Sequence, residues 1–146
     1  MSQPELILTV GLPGSGKSTW ANDAVSMFDR FHNHIIVERD QIRQELTGDV
    51  RDHSQEGRVT RVAEERVCTA LTHGTSVIIA DTNLRPKYRR NWRKLAESLD
   101  AEYIEVWIDT PLDVCIARDS ERPNPVGEEV IRKMNEVLLA NPRTTE

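Results

Sequence analysis

Short apolar runs alternate with longer amphipathic segments along this chain. Four runs, at residues 6–10, 35–38, 76–83 and 101–110, predict buried β-strands. The segments between them place apolar residues three and four apart, as Val59, Ala63 and Val67 do, which is typical of a helix with one buried face. This spacing predicts helices over about 17–28, 40–46, 55–73, 86–99, 111–118 and 128–140. Strands that alternate with helices favour an α/β domain whose parallel sheet is covered on both faces.

The last predicted strand differs from the others because Glu105 interrupts its apolar run. This predicts that the strand lies at a solvent-facing edge or face of the sheet. The residues after it, Thr110, Pro111 and Asp113, match an N-cap, a first-turn proline and an acidic third position of a helix. Right-handed crossovers bring the carboxyl ends of parallel strands to one rim, where α/β proteins bind ligands.

Composition narrows the class of protein. The 146 residues predict one domain over 1–146, and a net charge of −5 argues against a long electrostatic grip on nucleic acid. A short basic site is compatible with this charge. Cys68 and Cys115 lack metal-ligand spacing and predict reduced thiols in a cytoplasmic protein. Since no apolar run reaches the length of a membrane helix, we expect no membrane partner. The pattern does not indicate an oligomeric state.

The strongest chemical signal is the glycine-rich turn after the first strand. Gly11, Gly16, Lys17 and Ser18 satisfy the pattern Gly-x-x-x-x-Gly-Lys-Ser between a predicted strand and a predicted helix. Such a turn points successive backbone N–H groups into one concavity, and the positive end of the next helix faces the same place. We therefore predict that Lys17 reaches the β- and γ-phosphates of a nucleotide and that Ser18 binds Mg²⁺. The alternative is a tight turn without a ligand.

Two further polar segments fall at the predicted rim. Asp81 ends the third strand, where a carboxylate can orient the shell of a Mg²⁺ ion; alternatively, Asp81, Thr82 and Asn83 cap the next helix. Asp40 and Arg43 follow the second strand on one face of a helix. A carboxylate there can accept the proton of an attacking hydroxyl, and an arginine beside it can bind a phosphate on the acceptor. The alternative is a helix cap with a local ion pair.

Two basic segments complete the candidate set. Arg118 and Arg122 precede a proline-rich break, which predicts a lid around 118–127 that brings positive charge to a transferring phosphoryl group. Ordinary helix-surface arginines are the alternative. Residues 85–94 carry six basic side chains, namely Arg85, Lys87, Arg89, Arg90, Arg93 and Lys94, with Tyr88 and Trp92 between them. A solvated helix face is the simpler interpretation, and a contact for a nucleic-acid backbone is the alternative.

In this order, the motifs resemble the kinase domain of bacteriophage 5′-hydroxyl polynucleotide kinases, which are P-loop kinases. The resemblance covers nearly the whole chain and rests on LTVGLPGSGKSTWA (8–21), RDQIR (39–43), DTNLRPKYRRNW (81–92), ARDSER (117–122) and VGEEVIRKM (126–134). It implies a P-loop NTPase kinase fold with a four-stranded parallel sheet in the order 2-3-1-4, flanked by helices on both faces. The chain departs from the family at Gly127, where proline is usual, and its lid is about one residue shorter.

The resemblance also implies roles for individual residues. The catalytic set is Asp40 as general base, Lys17, and Arg122 on the γ-phosphate. The nucleotide is expected to contact Gly11, Gly14, Ser15, Gly16, Lys17, Ser18, Thr19, Arg118 and Arg122. The acceptor is expected to contact Arg43, Asp81, Thr82 and Asn83, and Mg²⁺ is expected near Ser18, Asp40 and Asp81.

These features predict an enzyme that uses Mg²⁺ to transfer the γ-phosphoryl group of ATP, or another NTP, to a 5′-hydroxyl end of DNA or RNA. Because the chain is net negative, we expect it to read only the terminal one or two nucleotides and to show a shallow salt dependence. Two alternatives stay open. One is a small-molecule kinase for a sugar, nucleoside or antibiotic, and the other is a nucleotide-binding regulatory module without transfer.

Overall fold

The computed structural model describes residues 3–143, and within that range four strands alternate with six α-helices. The strands are β1 (Glu5–Val10), β2 (Ile35–Val37), β3 (Val77–Ile79) and β4 (Glu102–Trp107). The helices are α1 (Lys17–Met27), α2 (Arg39–Thr47), α3 (Glu56–Thr72), α4 (Pro86–Ser98), α5 (Leu112–Ser120) and α6 (Glu128–Ala140). Every predicted element is therefore present. The largest difference is in β3, which ends four residues before its predicted end because the chain leaves the sheet at the rim.

The strands form one sheet in the order β2-β3-β1-β4, and all three pairings are parallel, as predicted. Strand β1 lies in the interior of the sheet and is buried along its whole length. Strand β4 lies at an edge, as the interrupted apolar run indicated. There Glu105 accepts hydrogen bonds from Tyr103 Oη at 2.6 Å and Trp107 Nε1 at 3.0 Å, so the carboxylate keeps polar partners at the edge.

Helices cover both faces of the sheet. One face packs Leu6, Leu8 and Ile79 against apolar residues of α2, α3 and α4. The opposite face packs Ile7 and Ile78 against α1. A third cluster joins the end of β1 to α5 and α6. The glycine-rich turn follows the carboxyl end of β1, the start of α2 follows β2, and the 80–85 segment follows β3. These three segments therefore lie at one rim of the sheet. No helix within residues 3–143 is both long and apolar enough to cross a membrane.

The predicted helix caps are wrong. Helix α5 begins at Leu112 with Pro111 in the cap position and no side-chain cap, because the Thr110 hydroxyl donates instead to the Ser15 carbonyl at 2.7 Å. Helix α2 begins at Arg39, so Asp40 lies inside its first turn and Glu38 takes the cap position. In both places, a polar side chain that could cap its own helix instead lies at the rim of the sheet.

Candidate active site

The glycine-rich turn is held in a conformation that only glycine adopts easily. Gly14 and Gly16 have φ angles of +79° and +103°. A Cβ atom on Gly14 would collide with the backbone carbonyl of Cys115 in α5. A Cβ on Gly11 would lie 2.8 Å from Ser15 Oγ and 3.1 Å from the Ile108 carbonyl oxygen. The turn is thus seated against the end of β4 and the first turns of α5.

Ser15 fixes the turn from both sides. Its carbonyl oxygen accepts hydrogen bonds from Thr110 Oγ1 at 2.7 Å and from Arg118 Nη1 at 3.3 Å. Its own hydroxyl is buried and has no hydrogen-bond partner among the described residues. A buried hydroxyl without a partner costs free energy that a bound oxyanion recovers. The turn therefore fits an anion.

Lys17 lies beside this turn and its side chain is partly buried. The ammonium donates to the Leu12 carbonyl at 2.7 Å. Burial lowers the pKa of Lys17 to about 8; Asp81, Cys115 and Asp40 oppose this shift, and Arg122 adds to it. The ammonium is therefore still charged at pH 7. Contacts join the same elements: Ser18, next to Lys17, donates to Glu38 before α2, and Arg39, next to Asp40, donates its N–H to Asp81.

Asp81 lies at the end of β3 and caps a helix other than its own. Its Oδ1 accepts a hydrogen bond from the backbone N–H of Arg39 at 3.0 Å, which satisfies a donor at the start of α2. Burial raises the pKa of Asp81 to about 6, the Arg39 N–H and charge oppose the shift, and Asp40 and Glu38 add to it. A cation at this place would favour the charged carboxylate.

Asp40 and Arg43 form the ion pair that their spacing allows. Arg43 Nη1 donates to Asp40 Oδ1 at 2.7 Å. The Asp40 side chain is 61% exposed, whereas that of Arg43 is 7% exposed. Arg43 also donates from Nε to Glu56 Oε1 at 2.8 Å and from Nη1 to the Val50 carbonyl at 3.2 Å. The guanidinium therefore orients Asp40 and leaves few N–H groups for another ligand.

Glu56 connects this pair to α3, and its position in the site was not predicted. Besides Arg43, it accepts hydrogen bonds from Arg39 Nη2 at 3.1 Å and His53 Nδ1 at 2.7 Å. Burial alone would raise the pKa of Glu56, but its hydrogen bonds to His53 and Arg43 lower it below the ordinary value. No local motif marks Glu56, because its partners come from another helix and a turn.

Glu38 is a second site residue that the sequence analysis missed. Its Oε2 accepts a weak, 3.4 Å hydrogen bond from Ser18 Oγ, the hydroxyl predicted to bind Mg²⁺. Burial raises the pKa of Glu38, the bond from Ser18 and the charge of Lys17 oppose the shift, and Asp40 adds to it. Its position directly after β2 was the available signal, since side chains there reach the rim.

The oxygen atoms of this region fit Mg²⁺ in their chemistry. The Ser18 hydroxyl lies beside Glu38, and the carboxylates of Asp40 and Asp81 are close enough to affect Lys17. Such hard oxygen ligands suit Mg²⁺, which keeps several waters and binds substrate phosphates. Within residues 3–143, no three His, Cys, Asp or Glu side chains form a metal cage. A Mg²⁺ ion would thus be bound jointly by few protein oxygens, water and a nucleotide.

The predicted lid is tied down at both ends. Arg118 contacts the Ser15 carbonyl, and Arg122 lies 3.7 Å from the buried Asp119 carboxylate. Asp119 also accepts hydrogen bonds from the N–H groups of Val126 at 3.0 Å and Gly127 at 2.9 Å. Gly127, the departure from the family pattern, has φ +104° and ψ 143°, which is a glycine conformation. The predicted lid segment is therefore a loop of about 121–127 that is closed by the Asp119 carboxylate.

The remaining predicted residues have varied surroundings. Thr19 is exposed in the first turn of α1. Thr82 is partly buried, and its carbonyl accepts the N–H of Gly11 at 3.1 Å. Asn83 is buried with φ +45°, and its Nδ2 donates to the Thr9 carbonyl at 3.0 Å. Asp81, Thr82 and Asn83 do not cap α4, whose cap position is Arg85. Their hydrogen bonds hold the 80–85 segment against β1.

Not all of the basic segment is a solvated face. Arg89 is buried, donates to the carbonyls of Asn83 at 3.0 Å and Leu84 at 2.7 Å, and lies 5.0 Å from the centre of the Trp107 ring. Arg93 lies 5.1 Å from the centre of the Tyr103 ring. The solvated interpretation is wrong for Arg89, whereas Arg93 is exposed and also packs on Tyr103; both arginines pack α4 onto β4.

Comparison with known proteins agrees with this geometry. The family profile described as an AAA domain matches residues 6–140. The L-seryl-tRNA(Sec) kinase of Methanococcus maripaludis is 31% identical over 90% of this chain and 51% of its own length. A candidate bifunctional polynucleotide kinase/RNA ligase of Autographa californica nuclear polyhedrosis virus is 25% identical over 94% of this chain and 21% of its own. The adenylyl-sulfate kinase of Marinobacter nauticus is 32% identical over 80% and 59%.

Among solved structures, a chain of the Pnkp1/Rnl/Hen1 RNA repair complex superposes with a TM-score of 0.83 at 28% identity, over 97% of this chain and 46% of that one. This chain spans about half or less of the length of the first relatives it matches. The predicted resemblance to polynucleotide kinase domains is confirmed at the level of the domain. The chain belongs to the AAA domain family and is a P-loop kinase domain.

Proposed function

We propose that this domain transfers the γ-phosphoryl group of ATP, with Mg²⁺, to the 5′-hydroxyl end of a polynucleotide. The observation that carries the proposal is that an exposed carboxylate, Asp40, lies in the first turn of α2, on the rim that also holds Lys17 and the glycine-rich turn. A carboxylate that is solvent-accessible and close to the phosphate site can receive the proton of an incoming hydroxyl. The polynucleotide kinase relative and the RNA repair structure support the choice of acceptor.

In the proposed reaction each residue has one task. The acceptor hydroxyl gives its proton to Asp40 as its oxygen bonds to the γ-phosphorus, and the bond to the β,γ-bridging oxygen breaks so that ADP leaves. Lys17 and the amides of the turn hold the β- and γ-phosphates. A bound Mg²⁺ ion would neutralise charge on the phosphate oxygens. Arg122 and Arg118 bring positive charge from the lid, since both lie near the turn.

On the acceptor side, Arg43 has two tasks in the proposal. It orients Asp40, as its 2.7 Å hydrogen bond indicates, and it offers its remaining N–H to a phosphate on the terminal nucleotide. Asp81 and Thr82 border the same space at the end of β3. Asn83 contributes indirectly. Its amide nitrogen donates to the Thr9 carbonyl and so holds the 80–85 segment in place.

A transfer assay tests the proposal. The protein is incubated with Mg²⁺ and ATP labelled on the γ-phosphate, together with a 5′-hydroxyl oligodeoxynucleotide or oligoribonucleotide. We expect label on the oligonucleotide and its loss with Asp40→Asn, whereas Asp23→Asn, an exposed aspartate of α1, retains transfer. Label that appears only on a small molecule such as adenylyl sulfate would support a small-molecule kinase. Nucleotide binding without transfer to any acceptor would support a regulatory module.

A second candidate acceptor is the seryl group of an aminoacylated tRNA. The 31% identity to an L-seryl-tRNA(Sec) kinase favours it, and the chemistry at Asp40 would be unchanged because the acceptor is again a primary hydroxyl. Adding seryl-tRNA as an acceptor in the same assay separates the two. The proposal requires that 5′-hydroxyl oligonucleotides are phosphorylated more efficiently than seryl-tRNA.

A further inference from the structure

Helix α4 has a charge pattern that the other helices lack. It carries five basic side chains and one acidic side chain in a protein of net charge −5. None of the other described helices has more basic than acidic side chains. Positive charge is therefore concentrated on one element of an otherwise acidic domain, and this segregation needs a physical reason.

Packing explains only part of the positive charge. Arg89 is buried against carbonyl oxygens and Trp107, and Arg93 lies over Tyr103. Three exposed cations remain, and they form what we call the α4 basic row: Lys87, Arg90 and Lys94. At 100° per residue they fall within a sector of about 60° that is opposite the buried Arg89 and Ala96.

The α4 basic row has no ion-pair partners among the described residues. By contrast, the exposed cations of α6 are paired along the helix, Arg132 with Glu128 at 2.9 Å and Lys133 with Glu129 at 3.8 Å. Glu97 is the one carboxylate on α4 and makes no ion pair within the described part of the chain. The row is therefore an uncompensated positive stripe that attracts anions in solution.

The α4 basic row also leads to the proposed acceptor site. Helix α4 begins directly after the 80–85 segment, so Lys87 lies nearest the rim and Lys94 farthest from it. From Lys87 to Lys94 the helix rises about 10 Å, which is long enough to face more than one phosphate of a strand.

We propose that the α4 basic row binds the phosphate backbone of the acceptor strand beyond its 5′-terminal nucleotides. This rests on the proposed function, and it predicts a longer contact than the net charge alone indicated. A small-molecule acceptor that ends at the rim would not use the row. Adenylyl sulfate and a nucleoside would bind equally well without these three side chains.

The test compares acceptors of different length with matched variants. Thymidylate strands of three and fifteen nucleotides, each with a 5′-hydroxyl and a 3′ fluorescent label, serve for binding by anisotropy and for transfer kinetics. The variant Lys87→Ala/Arg90→Ala/Lys94→Ala removes three exposed charges from α4. The control Arg66→Ala/Arg132→Ala/Lys133→Ala removes three exposed charges from α3 and α6. Alanine favours the helix in every case, and circular dichroism verifies folding.

We expect the α4 variant to bind the 15-mer about 10-fold more weakly at low salt, with a log–log salt slope smaller by about 2. Its transfer to the 3-mer should be close to wild type, and the control should match wild type with both strands. Equal affinity of wild type and the α4 variant for the 15-mer would overturn the inference, as would an equal loss in the control. Failure of the proposed function is a different result: no oligonucleotide of either length would be phosphorylated.

Discussion

The proposed nucleotide side and the proposed acceptor side of the rim are built in different ways. The glycine-rich turn is shaped by backbone: positive φ at Gly14 and Gly16, and contact with the Cys115 carbonyl. The acceptor side is shaped by charged side chains, in which Arg43 holds Asp40 and Glu56. A backbone-built site tolerates few substitutions and keeps one ligand class. A side-chain network can change its acceptor while the fold is retained, which agrees with the different acceptors named for the relatives.

The largest expected effect comes from the carboxylate that links the two sides. Asp40→Asn should lower kcat by about 10²–10⁴-fold because asparagine cannot accept the acceptor's proton. The affinity for ATP should change little, since the Asp40 side chain is exposed and bonded to Arg43 rather than to the turn. Single-turnover transfer and calorimetric ATP binding measure the two quantities. A proportional loss of ATP affinity would assign Asp40 to the nucleotide side.

Breaking the backbone-built side should have a different signature. Gly14→Ala forces a Cβ against the Cys115 carbonyl at a positive φ, which should destabilise the domain by about 2–4 kcal/mol and weaken ATP binding. Gly57→Ala is the matched control, because a Cβ atom added to Gly57 in α3 would meet open space. This variant should be stabilised by roughly 0.5 kcal/mol. Urea unfolding gives both values. Equal stability of the two variants would contradict the packing argument.

Asp81 allows a pH-dependent test of how much a buried carboxylate on the proposed acceptor side lowers the free energy of unfolding. Its pKa of about 6 in the folded protein exceeds the ordinary 3.8, so the folded state binds more protons between these values and stability falls as pH rises. Asp81→Asn keeps an acceptor for the Arg39 N–H and removes the charge. The variant should therefore be more stable than wild type by up to about 3 kcal/mol above pH 6, with the difference vanishing near pH 4. Thermal unfolding of wild type and variant across this pH range is the measurement, and a stability difference that is constant with pH would refute the prediction.

The smallest effect should come from Glu56, which competes for Arg43. If the Arg43 guanidinium binds a phosphate on the acceptor, Glu56→Gln should free it and lower KM for a 3′-phosphorylated mononucleotide by a few-fold. The loss of the ion pairs to Arg39 and Arg43 should at the same time destabilise the domain by about 1 kcal/mol. Glu45→Gln, which removes only the exposed ion pair with Arg66, serves as the control. A raised KM in Glu56→Gln would mean that Arg43 only positions Asp40.

Local patterns predicted the fold and the glycine-rich turn well, for a physical reason. Hydrophobic periodicity and the Gly-x-x-x-x-Gly-Lys-Ser turn are properties of neighbouring residues, and the strand order followed from the family resemblance. Glu38 and Glu56 were missed because their partners, Ser18 and Arg43, lie in other elements. The Thr110 cap was wrong for the same reason: the hydroxyl binds Ser15, which is remote in sequence. The net charge alone did not show the α4 basic row, since a sum over the chain removes segregation, but the basic run at 85–94 was visible in the sequence.

Asp119 has a consequence for how such domains diversify. The buried Asp119 carboxylate accepts hydrogen bonds from the N–H groups of Val126 and Gly127. The loop between Asp119 and Val126 therefore begins and ends at fixed points, whatever its sequence. Residues 123–125 can then be exchanged, lengthened or shortened with little penalty to the rest of the domain. Transplanting that span from relatives with other acceptors is a practical route to chimeric kinases, provided that Asp119, Arg122 and Gly127 are preserved.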